Sequence, residues 1–285
     1  MAVKTWLRNQ LQGFGSDKPL LFARFLRKLP ALWRQELAMA EHQGSHANRI
    51  FIRGDGGCYP IYAAEDTSSD QGSYIRTYTL FCHQANAWYM HNELQNFLRT
   101  AKGFKRFADV GSAEGFYSAL FASMHPGEAE ILSIDCGSTT GCIPAHSLNV
   151  REQNRKAFAP KRWDYAKAFI TGSDKQPPSF ELPADCRVQR LTEVLQQQNF
   201  IPELMKFDIE SSEYDALLDP ATLDFLQEHH PTLIVEVHNK ELSERQLQFQ
   251  DVLDRLAKLD YAVTAYDERN FLEVENAHLV LSPSQ

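Results

Sequence analysis

Two stretches of the 285-residue chain set reactive side chains at spacings that chemistry can use. The first is FADVGSAEGFY, residues 107–117, in which an apolar run carries Asp109 near its end and breaks through Gly111, Ser112, Ala113, Glu114 and Gly115 into Phe116 and a helical pattern. A ligand at the carboxyl end of such a strand meets glycines that admit close backbone approach and a helix N-terminus with free N–H groups. The next apolar run ends at Asp135 and Cys136, and Asp135 lies 24 positions after Gly111, near the spacing at which an acid reaches a ribose hydroxyl pair.

The glycine pattern discriminates between cofactors. A dinucleotide asks for G-x-G-x-x-G, so that pyrophosphate can sit on the turn, whereas here the pattern is G-x-x-x-G, with Asp109 before it and Glu114 inside it. Those charges oppose a pyrophosphate and suit a cation. S-adenosylmethionine carries a sulfonium and an ammonium and no phosphate. A nicotinamide oxidoreductase is the weaker alternative, and a tight strand-to-helix turn without a ligand is the bland one.

The second stretch is LMKFDIESSEY, residues 204–214, followed by LIVEVHN, residues 233–239. Alternate residues of a strand share a face, so Asp208 and Glu210 point the same way if the strand persists, as do Glu236 and His238. Neighbouring strands would bring three carboxylates and an imidazole together. Such a group supports a general base, His238 or Asp208, that accepts the proton of a substrate hydroxyl. It also supports a divalent metal that lowers the hydroxyl's pKa, though no metal ligand set is assigned. The structural alternative is that Glu210 and Glu213 serve the start of the next helix and His238 is bonded locally.

These motifs resemble the FkbM-type class I S-adenosylmethionine-dependent methyltransferases over roughly residues 88–282. The family's D-V-G-A-N-x-G-x-x-S is matched by Asp109 to Ser118, with Ser112 and Ala113 in place of Ala-Asn. Its acid-proline pair becomes Asp135–Cys136. Its K-x-D-x-E-G-x-E signature is Lys206, Asp208, Glu210 and Glu213, with Ser211 replacing the glycine, and LTEVL (191–195) and Glu236-x-His238 fall in the family's order. The resemblance implies a Rossmann-like fold and S-adenosylmethionine as cofactor, with S-adenosylhomocysteine as product. It also implies O-methylation of a hydroxyl on a small molecule: a sugar, polyketide or peptide-derived compound. Gly111, Ser112, Gly115 and Phe116 would then shape the methionine pocket, Asp109 and Glu93 serve the ammonium, Asp135 and Cys136 the ribose side, and Asp208 and Glu210 border the methyl. A degenerate, cofactor- or partner-binding protein without turnover is the alternative, motivated by Ser211 and the Ser112–Ala113 pair.

The elements that must position these residues follow from periodicity. Strands alternate with helices of 10–15 residues beyond Lys102, which predicts an α/β fold: a doubly wound, mostly parallel sheet closed by an antiparallel C-terminal edge hairpin, 262–265 with 278–281. Residues 91–285 form the predicted core. Residues 1–90 form an appendage, with amphipathic helices around 20–37, a β-hairpin across GDGG (54–57) and an extended segment at 73–81. Trp88, Tyr89 and His91 are a candidate lid. Residues 1–49 hold eight basic and three acidic side chains, a balance of +5, which leaves −13 for the rest of a chain of net charge −8. An acidic core argues against nucleic acid. The basic helices are expected to pack on it and to serve a homo-oligomer contact. Hydrophobic content of 43% with 23% charged residues is that of a folded protein. Five cysteines without a Cys-x-x-Cys pair fit neither a disulfide framework nor a thiolate zinc site and suggest the cytoplasm. The absence of a long apolar run argues against stable membrane insertion.

Overall fold

The computed structural model describes residues 49–62, 90–113, 115–137, 144–172, 182–266 and 270–284. The predicted N-terminal helices, the extended segment at 73–81, Trp88, Tyr89 and Glu114 lie outside the described residues.

At Asp55 and Gly56 the backbone turns left-handed (φ 43° and 73°), the geometry that lets a two-residue turn join twisted strands. It connects β1 (Arg49–Gly54) and β2 (Gly57–Tyr62) into the expected hairpin. Ile52 and Ile61 are fully buried in one cluster with Leu94 and Phe97 of α1 (Met90–Ala101), so this hairpin shares its core with the rest of the molecule. Asn154 fastens it: its amide accepts from Tyr62 N at 2.8 Å and donates to Tyr62 O at 2.7 Å.

From β3 (Arg106–Val110) the chain passes through α2 (Phe116–Met124) to β4 (Glu130–Asp135), then α3 (Pro144–Phe158), β5 (Arg162–Thr171) and β6 (Arg187–Arg190). After α4 (Leu191–Gln197) it returns to the other side of β3 with β7 (Leu204–Phe207), α5 (Ser212–Leu218), α6 (Pro220–His229) and β8 (Thr232–His238). The short α7 (Asn239–Glu244), α8 (Gln250–Ala257), β9 (Tyr261–Tyr266) and β10 (Asn276–Pro283) complete it. The strand order is β6-β5-β4-β3-β7-β8-β10-β9; β3 to β8 run parallel and β10 is antiparallel to both neighbours. The fold is therefore the predicted Rossmann-like one, a doubly wound sheet with an antiparallel edge. Successive strands leave β3 in opposite directions, which opens a crevice at the carboxyl ends of β3, β4 and β7.

The strand pattern through Asp208 and Glu210 does not persist: β7 stops at Phe207, so Asp208 to Glu210 form a turn, and α5 and α6 are separate helices because Pro220 restarts the helix behind an Asp219 cap. Each face of the sheet has its own apolar cluster: Phe107, Ile131, Leu204, Ile234 and Val280 face α1 and α2, while Ala108, Leu132, Met205, Val235 and Leu279 face the other helices. The same parity puts Asp109, Asp135, Lys206, Glu236, His238 and His278 on the α1/α2 face, near the crevice. Charges thus replace the apolar row at one end of one face.

Candidate functional site

The crevice has two halves. In the first, the turn after β3 is stitched to the end of β4: Gly111 and Ser112 both donate N–H to Ile134 O, at 2.9 and 3.0 Å. Gly111 (φ +85°) packs so closely on the next strand that a Cβ there would lie 1.7 Å from Asp208 O. Only glycine satisfies both the left-handed backbone and that contact. Gly115 caps α2 in a left-handed conformation (φ 83°). The Asp135 carboxylate braces the turn from below, accepting from Ala113 N at 2.9 Å and Gly137 N at 2.6 Å. Burial pushes its pKa up against those two bonds. Each of its oxygens keeps lone-pair capacity for a second donor.

Asp109 is turned inward rather than into the crevice. Its Oδ2 accepts from Ser118 N at 3.1 Å and Ser118 Oγ at 2.6 Å, satisfying an orphan donor of the first turn of α2. Burial pushes its pKa up to about 6, against the opposing charge of Lys206 and the Ser118 bonds. Ser112 is different: it is 6% exposed, and its Oγ has no hydrogen-bond partner among the described residues. Cys136, half-buried, follows Asp135, and Phe116 is buried at the head of α2. Arg151, which sequence reasoning passed over, reaches across from α3, with its guanidinium 3.8 Å from the Tyr165 ring centroid and its stem against Gly115.

The second half is a charged cluster. Buried Lys206 lies 2.9 Å from Asp208 Oδ2 and 3.5 Å from Glu93 Oε1, and 4.7 Å from the centre of the Tyr117 ring. Burial works against its charge, but Asp208, Glu93, Glu236 and Asp109 together raise its pKa above the ordinary lysine value. Glu93, brought in by α1, is fully buried, and its Oε2 is 3.2 Å from His278 Nε2. His278 bridges to Glu236 Oε2, also at 3.2 Å, because β10 and β8 pair those two residues in register. Glu93 therefore belongs to a bridge between helix and sheet rather than to an open ammonium pocket.

His238 terminates β8 with its side chain 3% exposed. Glu213 Oε1 receives its Nδ1–H at 2.9 Å. Nε2 faces Glu210 Oε2 at 3.6 Å, Glu236 Oε1 at 3.8 Å and Asp208 Oδ1 at 4.0 Å. Burial pulls the imidazole pKa down, but the Glu213 bond and charge, with Glu236 and Asp208, outweigh it and push it up to about 10. Asp208 goes the other way: burial would raise it, and Lys206 and His238 hold it below the usual carboxylate range. Glu236 is raised by burial and by Asp208.

Asp208 and Glu210 approach His238 from a turn and not from a shared strand face. Glu210 and Ser211 are left-handed (φ 53° and 75°), a conformation that costs a non-glycine residue about 1–3 kcal/mol and that surrounding contacts must hold. Arg245 supplies one, donating to Ser211 O at 3.1 Å. Glu210 remains largely exposed, 78% at its side chain, while Asp208 is 27% exposed. The turn brings Asp208, Glu236 and His238 together, and Gly111 links them to the other half. Sequence reasoning left His278 out; its only signal was parity with Val280, and its partner Glu236 emerges only from the β8–β10 register.

Comparison with known proteins fits this geometry. Residues 138–263 match the family model described as the methyltransferase FkbM domain. The matched span takes in Lys206 to Glu213, Glu236 and His238, and begins just after Asp135 and Cys136. No curated protein matches the chain in sequence. Similar solved structures include the precorrin-6y C5,15-methyltransferase of Geobacter metallireducens (9% identity, 67% of this chain, 89% of that one, TM-score 0.37). Others are the ribosomal protein L11 methylase of Lactobacillus delbrueckii subsp. bulgaricus (15%, 68% and 80%, 0.38) and an O-methyltransferase of Bacillus cereus in complex with SAH (10%, 68% and 80%, 0.39). Among the described residues no helix is long and apolar enough to cross a membrane.

Proposed function

We propose that the protein transfers a methyl group from S-adenosylmethionine to a hydroxyl oxygen of a small molecule of the sugar, polyketide or peptide-derived class. The observation that carries this reading is the juxtaposition of the two halves through Gly111: a glycine turn with an unpartnered buried hydroxyl abuts a cluster of acids and imidazole. The first half fits the cofactor. Ser112 Oγ is a buried polar atom without a partner among the described residues, and Asp135 retains acceptor capacity at the strand end where a ribose would sit. S-adenosylmethionine, when bound, supplies an electrophilic methyl on a sulfonium that is already a good leaving group.

The chain's own work is then to orient, to exclude water and to take one proton. Gly111, Ser112, Gly115 and Phe116 shape the floor, and Asp135 with Cys136 takes the ribose side. Asp109 stiffens the head of α2 through Ser118, while Glu93 holds Lys206 and His278 in place; neither is open to the ammonium. Proton acceptance falls to His238 or Asp208, the two groups of the cluster that face each other at the crevice wall. Glu210, on the exposed side of the turn, borders the acceptor's entrance. Outside the core, the basic N-terminal region serves contacts between copies of the chain.

Thermal unfolding with S-adenosylhomocysteine tests the cofactor. At about 100 times its Kd the ligand should stabilise the fold by about 2.7 kcal/mol. No shift at millimolar ligand rejects the reading. Binding together with failure to methylate a broad panel of hydroxylated compounds favours a cofactor-binding protein without turnover.

A further inference from the structure

We infer that Asp208, Glu236 and His238 form a divalent-cation site at the wall of the crevice. One ligand atom from each lies within 4.8 Å of the others. The imidazole side chain is 3% exposed, and among the described residues Nε2 makes no hydrogen bond: the three carboxylate oxygens before it stand at 3.6, 3.8 and 4.0 Å, beyond the roughly 3.2 Å limit of a good bond. Oxygen and nitrogen ligands about 2.1 Å from one ion stand roughly 3–4 Å from each other. The spacing is thus too wide for mutual hydrogen bonds and right for a shared cation.

The ring is also oriented as a metal ligand is. Its Nδ1 donates to fully buried Glu213, which directs Nε2 at the carboxylates, the carboxylate–histidine–metal arrangement. Charge points the same way. Glu93, Asp208, Glu236 and Asp109 act on Lys206, and Glu210 and Glu213 face His238, so carboxylates outnumber the basic groups here and a divalent cation offsets part of that excess. A bound cation would take the place of a proton on Nε2. Two oxygens and one nitrogen suit first-row divalent ions such as Mn²⁺ and leave coordination positions for water and for the acceptor's hydroxyl oxygen. That last role, and only that, rests on the methyl-transfer reading.

Manganese alone is the probe. The full chain, stripped with chelator and dialysed, is titrated with MnCl₂ by calorimetry, and the bound ion is examined by pulsed electron paramagnetic resonance for coupling to an imidazole nitrogen. One Mn²⁺ per chain with a ¹⁴N coupling is expected. Glu236→Gln should weaken binding by tenfold or more, and Glu213→Gln, which meets His238 at the ring's far nitrogen and at its backbone N–H, by about 10–100-fold. Absence of binding at millimolar Mn²⁺, binding without the nitrogen coupling, or an affinity unchanged by Glu236→Gln overturns the site. The wild-type spectrum decides even if a variant does not fold. S-adenosylhomocysteine binding on the same sample separates the two readings: cofactor without metal defeats the cation site alone, and metal without cofactor defeats methyl transfer alone.

Discussion

The two halves of the crevice are built from opposite materials. Around β3 and β4 the backbone does the holding: Ile134 O takes two N–H groups, Asp135 takes two more, and conformation is set by Gly111 and Gly115. Around β7, β8 and β10 the side chains do it, through Lys206, Glu93, His278, Glu236, His238 and Glu213. A backbone cradle is indifferent to charge and intolerant of volume. A buried ionic cluster is the reverse, since each member is solvated only by the others. Substitutions that alter one property at a time should therefore separate them.

Volume has its largest effect in the cradle. Gly111→Ala adds a Cβ 1.7 Å from Asp208 O at φ +85°, and we expect a loss of about 3–5 kcal/mol in urea unfolding or no soluble protein. A loss under about 1 kcal/mol would mean that the turn and Asp208 move apart freely, and the two halves would not be rigidly linked. Charge has its counterpart in Lys206→Met, which keeps length and removes the cation between Glu93 and Asp208. Leaving those carboxylates without it should cost about 3–5 kcal/mol at neutral pH. Near-neutral stability would show that the acids simply take up protons.

Asp109 stands at the border, a charge inside the backbone half. Its folded pKa of about 6 exceeds its usual 3.8, so the native state holds the proton more tightly than the unfolded chain. Stability should accordingly fall as pH rises from about 4 to about 6. Roughly two pH units correspond to at most about 3 kcal/mol, a net figure that already includes the attraction to Lys206. Asp109→Asn should therefore flatten that pH dependence and raise stability at pH 7 by about 1–2 kcal/mol. Urea midpoints on either side of the window check it; a slope that persists in the variant assigns the titration elsewhere.

The same contrast explains what could be read in advance. The cradle is local: strand, glycine turn and helix follow one another within 107–117, and Asp135 lies at a diagnostic distance, so its residues were visible as a string. The cluster is assembled across β7, β8, β10 and α1. Its core members Asp208, Glu236 and His238 were visible as alternating pairs, yet Glu93's bridge to His278 depends on how a helix docks and on an antiparallel register, neither of which spacing encodes. The ionisation of His238 was hidden for the same reason, because Glu213 reaches it from the next helix. The early end of β7 was hidden too: Ser211 occupies a left-handed position that composition argues against, and Arg245 from a distant turn helps hold it.

Ser112→Ala carries the smallest expected change and the sharpest one about purpose. The hydroxyl is buried without a partner, a state that costs free energy in the ligand-free protein. Removing it should leave stability equal or raise it by about 0.5–1 kcal/mol, the opposite of Gly111→Ala. If the hydroxyl waits for the cofactor, affinity for S-adenosylhomocysteine should fall at the same time by about 3–10-fold, the worth of one neutral hydrogen bond. Thermal unfolding without ligand and calorimetry with it read the two effects separately. Stability gained with affinity unchanged would make Ser112 a defect of packing, and the backbone half would then bind through its N–H groups and Asp135 alone.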